Sequence, residues 1–354
     1  MGTGIKLSAI LALCLGFGVS NTIFGTGSTP PLFFTPEPSA IPEVLDAINS
    51  AKRSIHMEMY RISEATIIDA LIQAHERGVD VEVILDSAAV KKEKPAGAFH
   101  RLSDAKVNVM TSSEGFSLSH LKTFVVDKAT AFVMTLNFTT ITDKTRDVGL
   151  ITNDPQVVTF LETLFTVDKQ NALNHDTASP SVVPSNFVLS PVNARDRLQT
   201  LLQGAQKNIK LMVENFSDPT MLTELIQAQS RGVKVEVVMP RCDLTTKNFD
   251  MPSARKLNEG GVTVRMMPAP MSAATPYIHQ KSIVVDGQRA FLGSENFTFN
   301  SLDHARELGI IITELAKIRQ LSDTFDADFA KSLKMPEAEA FTCPTRTFAD
   351  SADF

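Results

Sequence analysis

The chain has 354 residues, 43% hydrophobic and 21% charged, with a formal net charge of −6. Those proportions fit a folded protein with a real core and exclude a disordered, collagen-like or polytopic membrane chain; the acidic balance offers no basic surface of the kind that binds nucleic acid. Three cysteines neither build a disulfide framework nor fall at zinc-ligand spacing, so neither a metal nor another cofactor is expected.

Lys6 is the only charged side chain before Glu37, and Leu7 to Val19 is mostly apolar or small. A positive start, an apolar run and the small residues Gly18 and Ser20 predict a secretory signal over 1–24, hence export to a periplasm or the medium. The alternative is an uncleaved anchor, because Ile5 to Phe24 is nearly long enough to cross a bilayer. After cleavage Cys242 and Cys343 are the only thiols left, able to pair in an oxidising compartment. Residues 25–38, with Gly, Ser and Pro, read as a linker.

The remainder is one unit written twice. Ala51-Lys52-Arg53-Ser54-Ile55, Ile67 to Ala74 and Arg77-Gly78-Val79-Asp80-Val81-Glu82-Val83 return as Ala205-Gln206-Lys207-Asn208-Ile209, Met221 to Ala228 and Arg231-Gly232-Val233-Lys234-Val235-Glu236-Val237. A constant offset of 154 residues makes this an alignment rather than a coincidence of composition. Val44, Ala47, Ile48 and Ala51 share one helical face, as do Ile68, Leu71, Ile72 and His75. Gly78 and Gly232 stand where those helices end, and Val79, Val81 and Val83, like Val233, Val235 and Val237, alternate as strands. Helices interleaved with strands predict an α/β fold with parallel pairing. The predicted domains are 39–170 and 192–335, joined by a Pro-, Ser- and Asn-containing linker over 171–191 and followed by a tail from 336 to 354.

A second duplication carries chemistry. His120, Lys122, Asp127 and Asn137 recur at identical spacing as His279, Lys281, Asp286 and Asn296, with Arg146-Asp147 and Arg306-Glu307 further on. Duplicated cores keep Val, Leu and Ile, whereas His, Lys, Asp and Asn are rarely buried without partners, so this set is read as functional. In a strand His120 and Lys122 point one way, as do His279 and Lys281, while Asp127 and Asp286, at odd spacing, point elsewhere. Two imidazoles and two ammonium groups meeting in one cleft suit a phosphodiester. Lysines and asparagines hold the non-bridging oxygens, one imidazole attacks phosphorus and the other protonates the leaving oxygen. Asp147 and Glu307 are suited to orient the rings through their second nitrogens.

The two His-x-Lys-x4-Asp motifs, each followed by an Asn, resemble those of the phospholipase D superfamily. The resemblance implies two similar α/β/α sandwiches with the active site at their pseudo-twofold interface, and a metal-independent route through a phosphohistidine. It also implies His120 as nucleophile and His279 as acid/base. The second motif continues as Gly293-Ser294-Glu295-Asn296, as the family prefers; the first reads Met134-Thr135-Leu136-Asn137, losing the glycine and placing Thr where Ser is usual. Thr135, Ser294 and Tyr277 are expected to touch substrate, and Met134 to narrow the approach to its half. The stretch Met266 to Met271 reads either as an apolar lip for acyl chains or as ordinary packing.

The expected function is therefore an exported phosphodiesterase that releases the headgroup of a phospholipid as it contacts a membrane surface, with transfer to an alcohol as a second outcome and no obligate protein partner. The alternatives are a nuclease of the same superfamily, a cardiolipin synthase-like transferase and a non-catalytic lipid-binding module. The nuclease is disfavoured by the acidic charge and by the absence of Trp and scarcity of Tyr.

Overall fold

The computed structural model describes Met1 and residues 31–94, 96–242 and 251–335. The predicted signal or anchor, the tail and Cys343 lie outside the described residues; Cys242 is disulfide-bonded. Among the described residues no helix is long and apolar enough to cross a membrane.

The first half runs β1 (Leu32–Thr35), α1 (Ala40–Ser50), β2 (Ser54–Met59), α2 (Ala65–Glu76), β3 (Asp80–Leu85), α3 (Ser87–Lys91), α4 (Ala98–Asp104), β4 (Asn108–Thr111), β5 (Lys122–Val126), β6 (Thr130–Met134), β7 (Thr145–Thr152) and α5 (Pro155–Asn174). The second runs β8 (Phe187–Ser190), α6 (Ala194–Gln203), β9 (Asn208–Met212), α7 (Pro219–Ser230), β10 (Lys234–Pro240), α8 (Met251–Glu259), β11 (Thr263–Met267), β12 (Tyr277–Ile278), β13 (Lys281–Val285), β14 (Arg289–Gly293), α9 (Phe299–Asp303), β15 (Glu307–Ile312), α10 (Leu315–Lys331) and β16 (Leu333–Lys334).

Each half forms one sheet with the same strand order: β1-β7-β6-β5-β2-β3-β4, and β8-β15-β14-β13-β9-β10-β11 closed by β16. The parallel pairing predicted from the helix–strand alternation holds for β2-β3-β4 and β9-β10-β11. Strands β5-β6-β7 and β13-β14-β15 form antiparallel meanders, the turns at Asp127-Lys128 and Asp286-Gly287 being too short for a crossover, while β12 of the second half pairs parallel with β7 of the first sheet. Gly78 and Gly232 close α2 and α7 at φ +88° and +90°, a left-handed conformation open to glycine. Asp218 starts α7 by accepting the amides of Thr220 and Met221, with Pro219 in the first turn.

Both linkers hold more order than their composition suggested. Leu32-Phe33-Phe34 of the first is strand β1 against β7, and Phe187-Val188-Leu189 of the second is β8 against β15, while α5 continues to Asn174. Three consecutive apolar residues suffice for a buried edge strand, and flanking Pro and Ser obscure them in the sequence. The start of the methionine stretch is packing: Met266 and Met267 lie in β11, each 1% exposed, while Met271 is half-buried.

Val44, Ile48, Leu71 and Val83 fill a core between helices and sheet in the first half, and Leu198, Leu225, Val235 and Phe291 do so in the second. A third core is common to both: Leu121, Val133 and Leu161 pack in one cluster with Val284, Leu292 and Leu321. Each such buried side chain contributes about 1.5–3 kcal/mol. The two sheets are thereby fixed against each other, with β6 packed on β14 and β15 across the junction.

Candidate active site

His120 and His279 line one cavity of about 670 Å³ at that junction, together with Asn137, Asn296, Asp147 and Glu307. Neither histidine sits inside a regular strand of its own sheet. Ser119 bridges to Arg306 and the His120 amide donates to the Arg306 carbonyl; Tyr277 and Ile278 pair with Thr145 and Arg146, and the His279 amide donates to the Arg146 carbonyl. Each His-x-Lys segment is thus laid against the strand of the opposite half that carries the next acid.

The orienting pairs therefore cross the molecule. His120 Nδ1 is 2.8 Å from Glu307 Oε2, and His279 Nδ1 is 2.7 Å from Asp147 Oδ1. An Nδ1–H given to a carboxylate leaves Nε2 free to face the cavity. Sequence placed both acids beside the imidazoles but not which acid serves which ring, since pairing between halves is set by the interface. Arg146 and Arg306, one residue before these acids, are tied across the same junction: Arg146 Nη2 to Asp328 Oδ1 of α10 at 3.1 Å, and Arg306 Nη2 to Asp168 Oδ1 of α5 at 2.7 Å.

Lys122 and Lys281 lie beneath the histidines, 0% and 1% exposed, each donating to the carbonyl of the histidine two positions earlier. Burial and the Lys281 charge bring Lys122 down to about 7. Burial and the Lys122 charge likewise bring His120 down to about 4, against the pull of Glu307. His120 is therefore neutral at neutral pH, with a lone pair on Nε2. Burial alone would raise Asp147, but the adjacent His279 outweighs it and the carboxyl lies below its ordinary range.

Asp127 and Asp286 do not join this site. Both have φ of +55° at the far ends of β5 and β13. The Asp127 carboxylate accepts the amides of Lys52, Arg53 and Ser54, and that of Asp286 accepts those of Gln206, Lys207 and Asn208. They tie each meander to the strand beside it, a structural role in place of the catalytic one expected from their motif position. The supposed substrate contacts are also displaced. Thr135 and Ser294 are both fully buried: Thr135 donates to Asp147 at 2.7 Å, and Ser294 accepts the Leu308 amide at 3.1 Å. Met134 is buried in the first core, clear of the cavity. Tyr277 donates to Glu214 Oε1 at 3.0 Å and so supports another wall residue.

Tyr60, Arg61, Glu214 and Asn215 are among the wall residues that the sequence did not single out. The Tyr60 ring packs edge-on to His120, with centroids 4.9 Å apart. Glu214 Oε2 accepts from Lys281 at 2.8 Å and lies 3.6 Å from His279 Nε2. Burial would raise the Glu214 carboxyl, but Lys281 and His279 hold it well below the usual range. The repeat offset of 154 aligns Tyr60 with Glu214 and Arg61 with Asn215, a signal hidden because the paired residues differ in chemistry. Glu295, two residues past Gly293, is fully buried with neither carboxyl oxygen hydrogen-bonded among the described residues; burial and the nearby Glu307 push its pKa well above the usual range.

A family model described as cardiolipin synthase, PLD-like domain, matches residues 44–169 and 198–329. A phospholipase D of Rickettsia bellii is 33% identical over 31% of this chain and 54% of its own length. The probable cardiolipin synthase YwiE of Bacillus subtilis is 23% identical over 83% of this chain and 65% of its own length. The match thus spans about half of the first of these relatives and just under two thirds of the second. In fold the chain is similar to a phosphatidylserine synthase of Haemophilus influenzae Rd KW20, with TM-score 0.64 and 14% identity over 86% of this chain and 87% of that one. It is also similar to a polyphosphate kinase of Porphyromonas gingivalis, with TM-score 0.63 and 19% identity over 83% of this chain and 46% of that one.

Proposed function

Since this chain belongs to the phospholipase D superfamily, we propose that it is a phosphodiesterase that cleaves the headgroup from a phospholipid to give phosphatidic acid. The observation that carries the proposal is the pair of histidines facing one cavity, each oriented by an acid from the opposite half, above two buried lysines.

In this reading the two histidines take different chemical roles. His120 is neutral, with Nδ1–H held by Glu307, so its Nε2 lone pair attacks phosphorus. The bond from phosphorus to the headgroup oxygen breaks, and His279, between Asp147 and Glu214, gives that oxygen its proton. Lys122, Lys281, Asn137 and Asn296 stabilise charge on the non-bridging oxygens. Water, losing a proton to His279, then attacks the phosphohistidine and breaks its P–N bond, restoring His120. An alcohol in place of water yields a new phosphatidyl ester. The cardiolipin synthase-like relatives favour that transfer as a second reading. Export belongs to the same proposal, supported by the apolar N-terminal segment and the disulfide at Cys242.

The test is incubation with mixed phospholipid vesicles in excess EDTA, with products read by mass spectrometry beside His120→Ala. Phosphatidic acid, or a transferred phosphatidyl group, that disappears in the variant supports the proposal; lipid left intact by the unaltered protein contradicts it.

A further inference from the structure

The reacting groups are paired between the halves, but the walls beside them are not. Tyr60 and Arg61 follow β2 on the His120 side; at the equivalent positions after β9, on the His279 side, stand Glu214 and Asn215. An aromatic ring and a cation thus face a carboxylate and an amide across a site that is otherwise pseudo-symmetric.

Glu214 is held in place. It is 9% exposed, with Oε1 taken by the Tyr277 hydroxyl at 3.0 Å and Oε2 by Lys281 Nζ at 2.8 Å. That same Oε2 lies 3.6 Å from His279 Nε2, the nitrogen that delivers a proton to the departing oxygen in the reading above. Glu214 is therefore adjacent to the leaving group, whereas Arg61 is on the side of the attacking ring.

We propose that Glu214 selects the leaving group, favouring phosphodiesters whose departing alcohol carries a cation, such as an aminoalcohol or its quaternary form. This inference rests on the phospholipid reading and narrows it. In the half-site that receives the leaving group, the positive charges of Lys281 and a protonated His279 are matched by Glu214 and Asp147. When the phosphate takes up Lys281, one carboxylate is left short of a partner in a poorly hydrated wall. A cation on the leaving group supplies that partner, a neutral polyol does not, and an anion adds repulsion. The same arrangement disfavours a polynucleotide, whose departing strand brings further phosphates to this side.

The test uses dihexanoyl phosphatidylcholine, phosphatidylethanolamine and phosphatidylglycerol as monomers below their micelle concentrations, so that surface charge plays no part, with EDTA present. The readout is the ratio of kcat/KM for the two cationic headgroups to that for glycerol, which cancels any loss of overall activity. The unaltered protein should favour the cationic headgroups by about tenfold, within the range of one charge-assisted contact. Glu214→Gln, whose one carbonyl oxygen can still accept from Lys281 while its amide donates to the Tyr277 oxygen, should bring the ratio close to one, and Glu214→Asp should restore most of it. A ratio at or below one in the unaltered protein overturns the inference even if Glu214→Gln fails to fold, as does a ratio unmoved by Glu214→Gln. No turnover of any of the three lipids overturns the phospholipid reading itself and the inference with it, whereas equal turnover of all three removes the inference alone.

Discussion

At His120 one carboxylate, Glu307, takes Nδ1 and two buried ammonium groups lie close by, whereas His279 is placed between Asp147 and Glu214. Identical side chains are thereby placed in different electrostatic surroundings. Because burial and Lys122 bring His120 to about 4, and burial and Lys281 bring Lys122 to about 7, the sign of the pH dependence is fixed. Raising the pH through about 4 frees the nucleophile; raising it through about 7 discharges a lysine needed for the phosphate. A kcat/KM profile should rise near the first value, fall near the second, and lose its acid limb only in variants that alter His120 surroundings. Thr135 gives a second check. Its hydroxyl holds Asp147, so Thr135→Val should lower kcat by up to about tenfold, one hydrogen bond's worth, with little change in KM. The sequence already placed His120, His279, both lysines and both asparagines at one site, because their types and spacing survive duplication. Glu214 and Tyr60 were illegible for the opposite reason: aligned positions that differ in chemistry give no repeat signal.

The hairpins β5-β6 and β13-β14 illustrate how a motif residue can serve the element and not the reaction. Asp127 and Asp286 gather three amides each from the neighbouring strand while holding a positive φ. Asp127→Ala should therefore lower stability by about 1–3 kcal/mol in urea unfolding and leave the kcat of the folded fraction within about twofold. The lost glycine of the first motif also belongs to this scale. Gly293 pairs with Gly309 in the second sheet, and a Cβ on Gly293 would run into the Gly309 backbone and the Glu295 carboxyl; in the first sheet Met134 pairs with Gly149 and Leu136 takes the place of Glu295. The first half fills with apolar side chains the space that the second leaves for the Glu295 carboxyl. Gly293→Ala should consequently destabilise by about 1–3 kcal/mol, visible as a lower urea midpoint. The alternation of Val233, Val235 and Val237 and the caps at Gly78 and Gly232 were readable locally. Strands β1 and β8 were not, since an edge strand of four residues is defined by the neighbour it joins.

Across the molecule the two halves are bound by reciprocal exchange. Each supplies the acid for the other's histidine, and each sends an arginine into the other's long helix, Arg146 to Asp328 and Arg306 to Asp168. With the third core common to both sheets, unfolding should be one calorimetric transition and not two. Asp328→Ala strands a buried guanidinium and should remove about 3–5 kcal/mol, with activity falling as the junction loosens. The doubled sequence announced two like units and a site between them; which acid crosses to which ring is a property of the assembled interface and has no counterpart in residue spacing. The claim on which the account turns is that His120 carries the covalent intermediate. Rapid alkaline quench of the enzyme during turnover of phosphatidylcholine in EDTA, followed by peptide mass mapping, tests it directly. A phosphatidyl adduct is expected on His120 in the unaltered protein and none in His120→Ala; an adduct on His279, or turnover that persists in His120→Ala, would contradict the assignment.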